Sequence, residues 1–111
     1  AVNNFMDKRV NPANLVAVIG PHICAEHFEI QADIENKFVL FSDCIIKKDG
    51  KIFVDLYEFA KAQLLGMGLK SVRINSTKEC TYELKDKYYS YRREKERPVK
   101  AQLAYILKSN V

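Results

Sequence analysis

Residues 15–19 read Leu-Val-Ala-Val-Ile and are closed by Gly20-Pro21. A continuous apolar run of strand length, rich in β-branched residues and ended by a turn, reads as a strand buried on both faces. A strand of that kind needs packed material on each side of its sheet, which points towards helices covering a sheet.

The remaining patterns agree with an α/β chain. Val2, Phe5, Met6 and Arg9 fall at helical spacing, and Asn11-Pro12 ends that segment because the residue before proline avoids the helical region. Over 26–37 a helix is expected, since Ile30, Ile34 and Phe38 recur at i, i+4 and i+8 with charged residues between them. Residues 38–46 are expected to be extended. The Asp49-Gly50 pair favours a two-residue hairpin turn joining Ile45–Lys48 to Lys51–Val54. Asp55 is a good N-cap with Glu58 three residues on, and Leu56, Phe59, Ala60, Leu64 and Met67 share one helical face. Gly66 and Gly68 supply the stop. A second strand is expected over 69–75 and an apolar strand over 102–107, with polar, irregular chain over 76–87.

Length and composition bound the class. A chain of 111 residues, 48% hydrophobic and 29% charged, is one folded domain at most and is not disordered. Its apolar runs are too short to span a bilayer, and residues 1–10 lack the apolar core of a signal peptide. Cys24, Cys44 and Cys80 are odd in number and widely spaced, which suits a reducing cytoplasm better than a disulfide framework. The net charge of +4 is too mild to identify a partner.

Three segments offer chemistry. Gly20-Pro21 and the residues after it follow a strand, where ligands gather in open α/β sheets, although a Gly-Pro pair also simply turns the chain. His22, Cys24 and His27 are three metal-capable side chains in six residues, for which Cys44 or Cys80 would be the fourth ligand of a structural zinc. Their spacing also fits histidines at a helix start beside a buried thiol. Tyr88, Tyr89 and Tyr91 lead into Arg92 and Arg93, and the stretch 92–100 carries five positive residues against two glutamates. Arginine forks suit phosphate, and stacked tyrosines suit a base or sugar. The same pattern fits a half-buried strand with a solvated edge, or a single-strand nucleic-acid platform. Asp43 and Asp55 are acidic candidates for general-base work without a visible partner, and an Asp at a helix start is commonly a cap.

The order of these segments is more specific than any one of them. Gly20-Pro21 with Phe28-Glu29, Asp55-Leu56, Cys80-Thr81 and Ser90-Tyr91-Arg92-Arg93 resemble, in sequence and spacing, the C-terminal half of the laccase-domain family, also called polyphenol oxidase or multi-purine nucleoside phosphorylase. The resemblance runs over essentially the whole chain. It implies a mixed sheet packed with helices, part of a larger laccase-domain α/β fold, with residues 1–111 as the C-terminal portion of a single laccase-like domain and no internal boundary. It further implies a zinc-dependent purine nucleoside phosphorylase acting on adenosine or inosine with phosphate, with adenosine deamination in some members.

The family zinc is held by two histidines and a cysteine of the N-terminal half, with which His22, Cys24 and His27 do not align. The expectation is therefore no metal in this chain, no assigned catalytic residue, and little activity without the missing half. Gly20 and Pro21 are expected to shape the substrate pocket, while Arg92 and Arg93 either face phosphate or lock the fold through ion pairs. A half-domain is also expected to self-associate through its uncovered apolar surface. No membrane association is expected, and nucleic acid is a minor alternative beside a small metal-binding module. The chain departs from the family at Cys24, at His22 and His27, and after the arginine pair, where it carries Glu94 and Arg97-Pro98.

Overall fold

The computed structural model describes residues 1–95 and 100–107. Two small sheets organise the chain. The first pairs β1 (Ala17–Ile19) in parallel with β5 (Ile74–Ser76), in the register Ala17 to Ile74, Val18 to Asn75 and Ile19 to Ser76. The second is antiparallel, with β2 (Glu29–Ile30), β4 (Lys51–Val54) and β3 (Ile45–Lys48) in that spatial order. Short helices α1 (Val2–Asp7), α2 (Ala32–Glu35) and α4 (Tyr91–Glu94) and one longer helix, α3 (Leu56–Gly66), complete a mixed α/β architecture.

The hairpin and α3 follow their local sequence signals closely. Asp49 and Gly50 take φ of 53° and 75°, the two left-handed residues that a type I′ turn requires, and Lys48 sits opposite Lys51. Asp55 caps α3 by accepting the Glu58 backbone N–H at 3.1 Å. The helix ends through Met67, and Gly68, at φ +102°, turns the chain where a Cβ would meet Pro12 at 3.2 Å.

Elsewhere tertiary contacts override local pattern. The helix expected over 26–37 is instead a 3-10 turn (Ala25–His27), strand β2 and only then the short α2. Phe28 and Ile30 are drawn into the sheet: the Phe28 carbonyl accepts the Val54 N–H at 3.1 Å, and Ile30 faces Ile52. The extended segment expected from residue 38 is 3-10 helix over Asn36–Cys44, kinked at Phe41. Phe38 and Phe41, three residues apart, both meet the Phe59 ring edge-on, at 4.9 and 5.3 Å, and a three-residue turn brings them to one side. The strand expected from residue 69 forms only at Ile74, after a 3-10 turn over Ser71–Arg73. The strand expected over 102–107 is absent, and Leu103, Tyr105, Ile106 and Leu107 are exposed without regular structure.

The buried apolar set is small: Cys44, Val54, Leu69, Ile74 and Cys80 among the described residues. The strand expected to be hidden on both faces is open on one, where Val16 and Val18 remain 62% and 63% exposed, and half-buried on the other. Among the described residues, β1 has one neighbour only, and no layer lies over that apolar face.

Candidate functional site at the carboxyl ends of the parallel strands

β1 and β5 run in the same direction, so the loops that follow them leave from the same edge. The pairing persists beyond the strands. Thr77 N–H donates to Ile19 O at 3.1 Å, His22 N–H to Glu79 O at 3.2 Å, and Thr81 N–H to His22 O at 3.0 Å. His22 and Cys80 thereby form an isolated parallel bridge. Residues 20–24 and 77–83 lie side by side as a result, with a cleft of about 490 Å³ lined by His22, Cys24, Glu79, Cys80 and Glu83, and by Glu26, Asp55, Tyr57, Ser76 and Lys78. The lining carries four carboxylates against Lys78, with Lys87 paired to Glu79 from outside it, and so suits hydroxyl or amino donors and cations better than free phosphate.

The two loops bring their reactive side chains together. Cys24 N–H donates to Cys80 Sγ at 3.2 Å, Cys24 Sγ lies 3.7 Å from Glu83 Oε1, and His27 Nε2 lies 3.2 Å from the same oxygen. The His27 ring stacks on Tyr82 at 4.1 Å between centroids, which fixes the imidazole plane. His22 is held differently: its Nδ1 donates to the Gly20 carbonyl at 2.8 Å, leaving Nε2 as the acceptor of the neutral ring.

The thiols diverge in acidity. Burial, with the neighbouring Cys80 and Glu83, pushes the Cys24 thiol up to about 12. Burial also opposes ionisation of Cys80. Hydrogen bonds from the Cys24 thiol and from the backbone N–H groups of Glu83, Cys24 and Tyr82 outweigh it and lower the Cys80 pKa. Cys44 does not line this cleft but a separate hollow, and burial raises its thiol.

The residues singled out in the sequence separate into two groups. His22, Cys24 and Asp55 line the cleft, and His27 stands behind it against Glu83. Asp55 also caps α3, whereas Asp43 lies beside Cys44 and Lys61 in a different hollow. Gly20 and Pro21 lead into the cleft without lining it. Arg92 donates to the Glu29 carbonyl at 2.7 Å and lies 4.9 Å over the Phe28 ring. Arg93 bonds the carbonyls of Thr81, Tyr82 and Tyr88 at 2.6 to 2.9 Å and the Glu94 carboxylate with its remaining donors. Tyr88 donates its hydroxyl to Glu79 at 2.9 Å, and Lys100 covers the Tyr89 ring at 5.4 Å. Arg97-Pro98 lies outside the described residues. Glu83, which completes the cluster, carries no local signal, because its partners Cys24 and His27 are distant in the chain.

These contacts explain why the separate motifs occur together: Ser90-Tyr91-Arg92-Arg93 is bound through its arginines to Phe28-Glu29 and to the loop after Cys80-Thr81. The sequence pattern described as multi-copper polyphenol oxidoreductase laccase matches residues 1–107. The chain belongs to this family. A purine nucleoside phosphorylase of Shigella flexneri, YfiH, is 32% identical over 98 residues, covering 85% of this chain and 38% of that protein. The crystal structure of a Bacillus licheniformis hypothetical protein YfiH superposes with a TM-score of 0.78 at 23% identity, over 85% of this chain and 38% of its own. A Neisseria meningitidis structure gives 0.69 at 26% identity, over 83% and 39%. The laccase-family fold is thus shared, while this chain spans about 38% of the length of the first of these relatives. Among the described residues no helix is long and apolar enough to cross a membrane.

Proposed function

We propose that this chain forms the C-terminal portion of a single laccase-like domain that cleaves purine nucleosides with phosphate. The observation that carries the reading is the family membership together with relatives named purine nucleoside phosphorylase. In phosphorolysis a phosphate oxygen bonds to the ribose anomeric carbon as the bond from that carbon to the purine nitrogen breaks. The purine takes up a proton as it leaves. This chain would supply the wall around the sugar: Gly20 and Pro21 shape the approach to the cleft, and carboxylates such as Asp55 and Glu79 accept hydrogen bonds from ribose hydroxyls. Of the two arginines, Arg92 is the one assigned to phosphate. Arg93 has its five donors engaged and is assigned to locking the fold.

The zinc of the intact family enzyme is assigned to two histidines and a cysteine of the remaining part of the domain. The donors clustered here are one cysteine, one histidine and one glutamate, a different set, and no step of the reaction is routed through them.

The test is release of free base from inosine and adenosine, followed chromatographically. It is run on the chain alone and with a fragment supplying the rest of the family's length. Phosphate-dependent release of base and ribose 1-phosphate on combining the two is the expected result. Release of ammonia from adenosine would favour deamination instead. Absence of nucleoside binding and turnover in the reassembled protein would overturn the reading.

A further inference from the structure

We propose that Cys24, His27 and Glu83 form a site for a borderline-soft divalent cation of the zinc class. This inference does not depend on the nucleoside reading, since it concerns donors of this chain alone. The sulfur, imidazole nitrogen and carboxylate oxygen lie within 4.8 Å of one another. A tetrahedral zinc with bonds of roughly 2.0–2.3 Å needs donor separations of roughly 3.3–3.8 Å. The Cys24 to Glu83 separation, 3.7 Å, falls within that range, and the His27 to Glu83 separation, 3.2 Å, lies just below it. Only small side-chain rotations are left to bring sulfur and imidazole into place.

The donors come from loops that the fold holds together. Residues 22–24 are tied to 79–81 by the strand-like bonds of His22 with Glu79 and Thr81. The Cys24 backbone is anchored on Cys80, and the His27 ring is fixed by Tyr82. Two of the three ligand residues are thus pre-positioned, which lowers the ordering cost of binding. The neighbouring cleft adds Glu26 and Asp55 against Lys78, with Glu79 already paired to Lys87, a field that attracts cations. Thiolate, imidazole and carboxylate together favour zinc over magnesium or calcium, which take oxygen ligands.

Binding replaces hydrogen bonds with metal bonds. The Cys24 thiol proton leaves to solvent, the neutral His27 ring binds through Nε2, and Glu83 binds as a carboxylate. One proton is released per metal, so affinity falls as pH falls. Three protein ligands leave a fourth position for water or an incoming group, the arrangement of an open rather than a closed zinc site. Sequence spacing alone groups His22 with Cys24 and His27, with Cys44 or Cys80 as the fourth ligand. The fold instead ties His22 to Gly20 and brings in Glu83, which lies 56 residues beyond His27.

Cobalt(II) titrated into the reduced chain without oxygen is the direct probe. The expected result is one equivalent bound with a thiolate-to-cobalt charge-transfer band in the near ultraviolet, displaced by zinc. Cys24→Ser should abolish the band. His27→Ala and Glu83→Gln should weaken binding by more than about 100-fold, beyond what loss of a mere supporting hydrogen bond costs. His22→Ala and Cys44→Ser should leave it unchanged. Circular dichroism checks that each variant folds. Should Cys24→Ser fail to fold, cadmium NMR of the unmodified chain decides by reporting whether one sulfur is bound. No charge-transfer band, a band that survives Cys24→Ser, or dependence on His22 in place of His27 would overturn the proposal.

Discussion

Arg93 shows how far a single side chain can organise a loop. Its guanidinium bonds three carbonyls between Thr81 and Tyr88, groups that would otherwise be left partly buried without donors. Arg93→Ala is expected to cost on the order of 3 kcal/mol, measured by chemical denaturation, because those acceptors lose a charged partner. Arg93→Lys should recover little, since one ammonium cannot reproduce a planar fork. Glu79 closes the same loop. Hydrogen bonds from Lys87 and Tyr88 hold its carboxyl below the ordinary value of 4.5. Its folded pKa is therefore lower than its unfolded one, and the unfolded chain binds the extra proton first on acidification. The contribution is present above about pH 4.5 and is lost as pH falls through the depressed value. The Tm should drop on acidification below that point, and Glu79→Gln should show a shallower drop over the same range.

At the scale of elements, legibility tracked the range of the deciding interaction. Both the β3–β4 hairpin and α3 are specified by neighbours: Asp49-Gly50 sets the turn, and Asp55 caps the helix. Asp55→Ala should therefore lower stability by about 1 kcal/mol while Asp55→Asn preserves it, as followed by thermal denaturation. The apolar spacing of Ile30, Ile34 and Phe38 satisfies a helix as well as a strand. Pairing of Glu29 and Ile30 with β4 settles the matter, and that partner lies more than twenty residues away. The candidate site shows the same division. His22, Cys24 and His27 were visible as metal-capable residues, but which of them meet, and that Glu83 joins them, follows from parallel pairing of β1 with β5.

The whole molecule is short of core. Five apolar residues are buried among those described, while Val16, Val18, Val39, Leu40 and Val72 are exposed. The radius of gyration of 16.2 Å exceeds the roughly 13 Å typical of a domain this long. An uncovered apolar surface drives association, so the isolated chain should sediment with a concentration-dependent mass. A clean monomer at high concentration would count against an uncovered interface. Adding the rest of the family's length should suppress the self-association. The sequence by itself determined the α/β class, the hairpin, α3 and the family, because periodicity, caps, turns and motif order are local or order-preserving signals. Only tertiary structure decided which face of β1 stays open, which arginine has no donor to spare, and which histidine stands beside Glu83. Those outcomes depend on contacts between residues distant in the chain, and local pattern carries no record of such pairings.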